Sequence, residues 1–262
     1  MQEDLATNIQ RSKENGKTST RERAHHIATQ LEICSSGLKI LSDDYHKHID
    51  SVVKYGKFSD GGCVSGYFSE NIFRSTQSSL TEIATLRDYI ARFISIDILG
   101  LKNNIDSMHR LLEEIDRKSI SHPLADMVEY SYHGGAKWLS NFDAYRNLIA
   151  HNSPLKHAGG HLWVHQRAIA APGCEKGIPT CSLTLPANPL DLLKRTRNQD
   201  FDEEVLQVMN GDSGGPDSLE YVHDTLFDLS RFAIEASQFS PVGPEPIRFN
   251  VSNIIPGSLV YR

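Results

Sequence analysis

The stretch LADMVEYSYHGGAKWLSNFDAYRNLIAH, residues 124–151, decides the fold class. Leu124, Met127, Val128, Ser131, Gly135, Trp138, Leu139, Phe142, Tyr145 and Ile149 recur at steps of three and four, which places them on one helical stripe. The spacing predicts a long fourth helix, ended by Pro154. Gly134 and Gly135 interrupt it. At about 1 kcal/mol each in a helix interior, they mark a kink or the close approach of a neighbour.

The same periodicity extends upstream. Ile27, Leu31, Cys34, Leu38, Leu41, Tyr45, Ile49 and Val52 predict a long first helix over residues 20–55. Ser19 and Glu22 fit a capping box at its start. FSDGGCVSGYFS, residues 58–69, reads as a Gly/Ser-rich connection. A second helix buries Leu80, Ile83, Ala84, Ile90, Ala91, Ile94 and Ile98, and a shorter third buries Ile105, Met108, Leu111, Leu112 and Ile115. Ser121-His122-Pro123 breaks the chain, because proline drives His122 out of the helical region.

Downstream the character changes. LWVHQRAIAA and PTCSLTLPA, within residues 155–190, are short β-favouring runs joined by Pro and Gly, which predicts a small hairpin or irregular lobe. Asn188-Pro189 opens a short helix through Leu193. A final long helix starts near Asp217 or Ser218 and turns Leu219, Val222, Leu226, Leu229, Ala233 and Ala236 inward. The expected organisation is a flexible basic arm (1–19), a helical domain (20–240) carrying the 155–190 insertion, and an extended tail (241–262). The fold class is all-α, an antiparallel bundle with a small β-containing insertion.

Composition narrows the function. The chain has 262 residues, 27 Lys+Arg and 33 Asp+Glu, hence a formal charge of −6, so a broad nucleic-acid surface is disfavoured and any such contact must use a local patch. No apolar run reaches the roughly 20 residues of a membrane span. The first residues, MQEDLATNIQ, lack a basic-then-apolar leader. Four cysteines are too few for a disulfide framework. A cytoplasmic protein without membrane partners is expected.

Two tempting motifs are set aside. GDSGGP at 211–216 matches the nucleophile loop of chymotrypsin-like proteases, but that chemistry needs a histidine base and an oxyanion hole on two β-barrels. Here Ser213 lies between helical stripes, in a segment with the residue types of a turn. His157, His161, His165, Cys174 and Cys181 contain zinc-ligand types. The Cys-x6-Cys gap and the irregular Gly159-Gly160 spacing leave both a zinc site and ordinary histidines and thiols open.

The remaining polar cluster is Arg146-Asn147-Leu148-Ile149-Ala150-His151. With Phe142, Tyr145 and Ile149 inward, Arg146, Asn147 and His151 lie off the core face. Asn147 and His151 occupy neighbouring turns. The carbonyl end of the helix favours an imidazolium at His151, while Arg146 opposes it. Such residues also serve simply as last-turn partners of free carbonyls.

This segment resembles the signature of the HEPN superfamily (higher eukaryote and prokaryote nucleotide-binding domains): an arginine, a polar residue, then a histidine near the end of a long helix. Arg146, Asn147 and His151 match those places, and the likeness in architecture would cover residues 20–240. The resemblance implies a metal-independent endoribonuclease without cofactor, of the toxin or defence-effector kind, acting on single-stranded RNA as a homodimer. It implies His151 as acid or base, Arg146 as the phosphate-holding cation, and Asn147 as an orienting group. A cognate antitoxin or nucleotidyltransferase is a further implied partner. The alternative is a HEPN-like module that binds nucleotides or proteins without catalysis, which the net charge favours.

Overall fold

The computed structural model describes residues 2–64, 66–101, 105–135, 137–148, 164–185, 189–190 and 215–243, with side chains from residue 19 onward except Lys176. Among these residues the chain forms six helices and one small antiparallel sheet. No helix among them is long and apolar enough to cross a membrane.

Helix α1 (Gln2–Lys54) and helix α2 (Tyr67–Phe93) make an antiparallel pair that carries much of the core. α1 turns Ile27, Cys34, Leu41 and Tyr45 inward, and α2 answers with Ile72, Leu80, Ile83 and Ile90. Polar contacts fix their register. Gln30 donates to Glu82 Oε2 at 2.7 Å, and Ser75 donates to Asp44. α2 ends in a π-helical turn, Ile94–Ile98, which swings the Asp97 carboxylate back onto α1. Arg23 Nε and Nη2 each donate to it at 2.6 Å, and Thr20 Oγ1 donates at 2.7 Å. Asp97 is almost fully buried there.

α1 begins at Gln2, so the segment expected as an arm is helical backbone continuous with the body. Residues 2–19 lack a large apolar stripe, so apolar periodicity gives no sign of this helix. Ser19 sits inside the helix and accepts from Arg23 Nη1 at 2.6 Å, where a capping role was expected.

Helix α3 (Met108–Lys118) starts at Ser107, whose side chain accepts from the Arg110 N–H, and stops at Ser119 in the left-handed conformation. Helix α4 (Pro123–His133) is capped by His122 Nδ1, which accepts from Leu124 N at 3.1 Å. Gly134 is extended, and a Cβ there would collide with the Tyr130 carbonyl oxygen. The glycine pair thus ends α4, and helix α5 (Trp138–Asn147) starts afresh. The single long helix read from the stripe is two helices, because the apolar spacing carries across a break that only glycine permits.

Strands β1 (Cys63–Val64), β2 (Val164–Ala171) and β3 (Cys174–Ser182) form an antiparallel sheet in that order. The register pairs Cys63 with His165, His165 with Ser182 and Ile169 with Ile178. β1 lies in the stretch expected to be only a connection. Pro189 and Leu190 are helical, and residues 191–193 of the expected short helix lie outside the described residues, as do 244–262 of the expected tail.

One buried cluster ties sheet to helices. Helix α6 (Ser218–Ser237) is capped by Asp217, whose Oδ1 accepts from Leu219 N at 2.9 Å and Glu220 N at 3.3 Å. Its Oδ2 accepts from Leu183 N, just past β3, at 3.1 Å and from Tyr45 Oη of α1 at 2.9 Å. Burial raises the Asp217 carboxyl above the ordinary carboxylate range, and the donors around it offset part of that shift. Asp217→Ala removes the cap and orphans buried donors on two elements. We expect a loss of about 2–4 kcal/mol in urea unfolding, with Asp217→Asn losing less.

His48 is 2% exposed, and its Nε2 has no partner among the described residues. Burial lowers its pKa, so the unfolded chain takes up the proton first, near pH 6.5. The His48 contribution is therefore complete above about pH 6.5 and is lost as pH falls toward the folded-state value, at most about 1.4 kcal/mol per pH unit. Urea midpoints at pH 7.5 and 5.5 should fall further apart in wild type than in His48→Leu.

Candidate functional site

Helices α3, α4 and α5 wall a solvent-open cleft of about 490 Å³. Arg146 and Asn147, in the last turn of α5, both line it. Phe142, Tyr145 and Leu148 are buried in the core and do not line the cleft, and this amphipathic division aims the two polar residues outward. Arg146 Nη1 donates to Asn147 Oδ1 at 3.0 Å. That bond occupies the amide oxygen. Among the described residues the remaining guanidinium N–H groups and the Asn147 NH2 are left as donors, an arrangement suited to an anion.

His151 lies outside the described residues. The structure thus brings together two of the three motif residues predicted from sequence.

Beneath them is a charged layer that the sequence reading missed. Asp143, one turn before Arg146, is bound by Arg87 of α2. Arg87 also donates from Nε to Asp88 Oδ1 at 3.0 Å, and its guanidinium lies 5.7 Å from the centre of the Phe142 ring. Only 11% of the Arg87 side chain is exposed. Tyr132 Oη of α4 donates to Asp143 Oδ2 at 3.1 Å. Burial pushes the Tyr132 phenol up to about 12, so it remains a donor at neutral pH. Burial also raises Asp88, against the opposing pull of Arg87. His109 and His133 line the same cleft, and His109 Nε2 is 3.4 Å from Glu113 Oε1. The only sequence hint of this layer was the charged pair Arg87-Asp88 between the core residues Leu86 and Ile90.

Of the zinc candidates, His157 and His161 lie outside the described residues. His165 faces Cys63, with Sγ 3.3 Å from Nδ1. Cys181 is opposite Gln166, one step along from His165, so the two side chains leave opposite faces of the sheet. Cys174 sits at the far end of the hairpin, opposite Ala171. These three do not converge, and among the described residues no group of three or more His, Cys, Asp or Glu is placed to hold a metal ion. None of the four cysteines forms a disulfide, and burial raises Cys63 and carries Cys181 to about 12, which keeps both protonated. Residues 211–214 of the Gly-Asp-Ser-Gly-Gly-Pro loop, Ser213 included, lie outside the described residues. Its last residue, Pro216, accepts from Leu185 N at 2.9 Å and leads into the Asp217 cap.

Compared with known proteins, the chain matches no family model, no curated protein and no solved structure.

The Tyr132 hydroxyl is part of what holds α5 against α4. Tyr132→Phe should lower stability by about 1–2 kcal/mol in denaturant unfolding, with helix content unchanged by circular dichroism.

Proposed function

We propose that the chain is a HEPN-type, metal-independent endoribonuclease of the toxin or defence-effector class, working as a homodimer on single-stranded RNA. One observation carries the reading. Arg146 and Asn147 present donors into an open cleft from the last turn of a helix, one turn ahead of His151 in the sequence. The mostly helical architecture is consistent with it.

The chemistry follows from these residue types. A ribose 2′-OH attacks the adjacent phosphorus while His151 takes its proton. The bond to the 5′ oxygen breaks, and that oxygen leaves with a proton from a second acid. The products are a 2′,3′-cyclic phosphate and a 5′-hydroxyl. Arg146 holds the phosphate and stabilises the charge that builds on its oxygens. The Asn147 NH2 orients the same group. Each chain carries one such histidine at the motif, so a two-fold pairing supplies the second proton-transfer group. A cognate antitoxin or nucleotidyltransferase fits the same reading as a means of masking the site.

The formal charge of −6 favours the second reading, a HEPN-like module that binds nucleotides or proteins without cutting. The two separate in one assay. Purified protein should cut single-stranded RNA in EDTA and leave cyclic-phosphate ends. His151→Ala should lose at least about 100-fold and Arg146→Ala about 100-fold, each with wild-type circular dichroism. An inert wild type selects the binding module, and full activity in His151→Ala moves the chemistry elsewhere.

A further inference from the structure

Arg146 and Asp143 are three residues apart on α5 and line the same cleft, the spacing at which opposite charges on a helix pair readily. They do not pair. Arg146 donates to Asn147, and among the described residues no carboxylate lies within ion-pair distance of it. The Asp143 carboxylate is instead held from below by Arg87 and from the side by Tyr132. Arg87 comes from α2, is nearly buried, and is braced by Asp88 and the Phe142 ring.

We infer that Arg87 is a positioning residue for the cleft: by holding Asp143 it keeps that carboxylate off Arg146, and so leaves the Arg146 guanidinium free to take the phosphate of a nucleic-acid ligand. The inference rests on the proposed function for the identity of the ligand, but the ion-pair choice between the two arginines stands on geometry alone. Arg87 and Tyr132 take up one oxygen each of the Asp143 carboxylate, while Arg146 turns to Asn147. Loss of Arg87 leaves Asp143 facing the cleft with Arg146 as the nearest cation on its own helix. A buried salt bridge of this kind is poor evidence for stability, since apolar replacements often do as well. Its effect here is to decide which cation remains available.

The test uses full-length protein and two readouts. Phenylglyoxal, which modifies arginines not engaged with anions, should label Arg146 in wild type and spare Arg87, as mapped by peptide mass spectrometry. In Arg87→Met the labelling rate of Arg146 should fall about 5- to 10-fold, and Arg87→Met/Asp143→Asn should return it to within about 2-fold of wild type. Arg87→Lys keeps the charge but cannot hold Asp143 and Asp88 in the same fork, and should lose about 2- to 3-fold, which keeps the inference testable where Arg87→Met folds poorly. The second readout is the affinity for a 2′-O-methyl oligoribonucleotide that cannot be cut. It should weaken about 10-fold in Arg87→Met and recover in the double variant. Equal Arg146 labelling in wild type, Arg87→Met and Arg87→Lys overturns the inference. So does a double variant that stays as weak as the single one, which is the result of a purely structural role. A wild type that ignores the oligonucleotide defeats the functional reading instead, and the labelling alone then decides the inference.

Discussion

The arrangement hangs on a carboxylate that has been taken out of water and surrounded by donors. Asp217 receives the first N–H groups of α6, the backbone of Leu183 beyond β3 and the hydroxyl of Tyr45 in the C-terminal part of α1. Three elements far apart in sequence meet at one side chain. An unpaired carboxylate there would be prohibitive, whereas one with a filled shell dictates where each donor must sit. Tyr45 Oη adds a contact of 2.7 Å with Ser218 Oγ, itself 3.2 Å from Thr76 of α2, so the cluster reaches the second long helix as well. The sheet is too small to bury a core of its own, and it stays in place because its outgoing strand is bound into this cluster.

A second buried charge organises the other end of the molecule by the same rule. Asp97 at the π-helical turn is satisfied by Arg23 and Thr20, which fixes α1 against the end of α2. Asp143 is satisfied by Arg87 and Tyr132, which fixes α5 against α2 and α4. Apolar stripes alone allow a helix to slide or rotate by a fraction of a turn at small cost. A charged group with directed partners does not, and the contacts of α5 with α2 and α4 contain one.

Much of this frame was legible in the residues. The stripes of α1, α2 and α3 were read correctly because steps of three and four survive any tertiary context, and Asp217 announced α6 because a cap has a local chemistry. The break at Gly134 was not legible as a break, since Met127, Val128 and Ser131 continue in phase with Trp138 and Leu139 across it. The helical course of residues 2–19 was missed for the opposite reason: a helix without a large apolar stripe gives periodicity nothing to register. β1 is two residues whose partner strand begins a hundred positions later, at Val164. In the cleft, Arg146 and Asn147 were found because they adjoin one another in a recognisable segment. Arg87 is separated from Asp143 by 56 residues, and no local pattern joins them. What a short motif cannot encode is which of its charges the fold has already used.

A chain of net negative charge can still present a cation to an entering anion. Net charge describes the far field, which decays over about 8–10 Å in physiological salt. Within the cleft the relevant quantity is the balance among a few half-buried groups. Asp143 and Asp88 together outnumber Arg87, so the buried layer carries an excess of negative charge unless a carboxyl holds a proton, and burial raises Asp88 in that direction. Arg146 lies one turn from this layer without a carboxylate of its own among the described residues. Its charge is therefore answered only at long range, and a phosphate entering the cleft would meet a cation together with the Asn147 NH2 donor. On the proposed reading, recognition of a phosphate would then rest on donor geometry at two adjacent side chains and not on the charge of the whole chain.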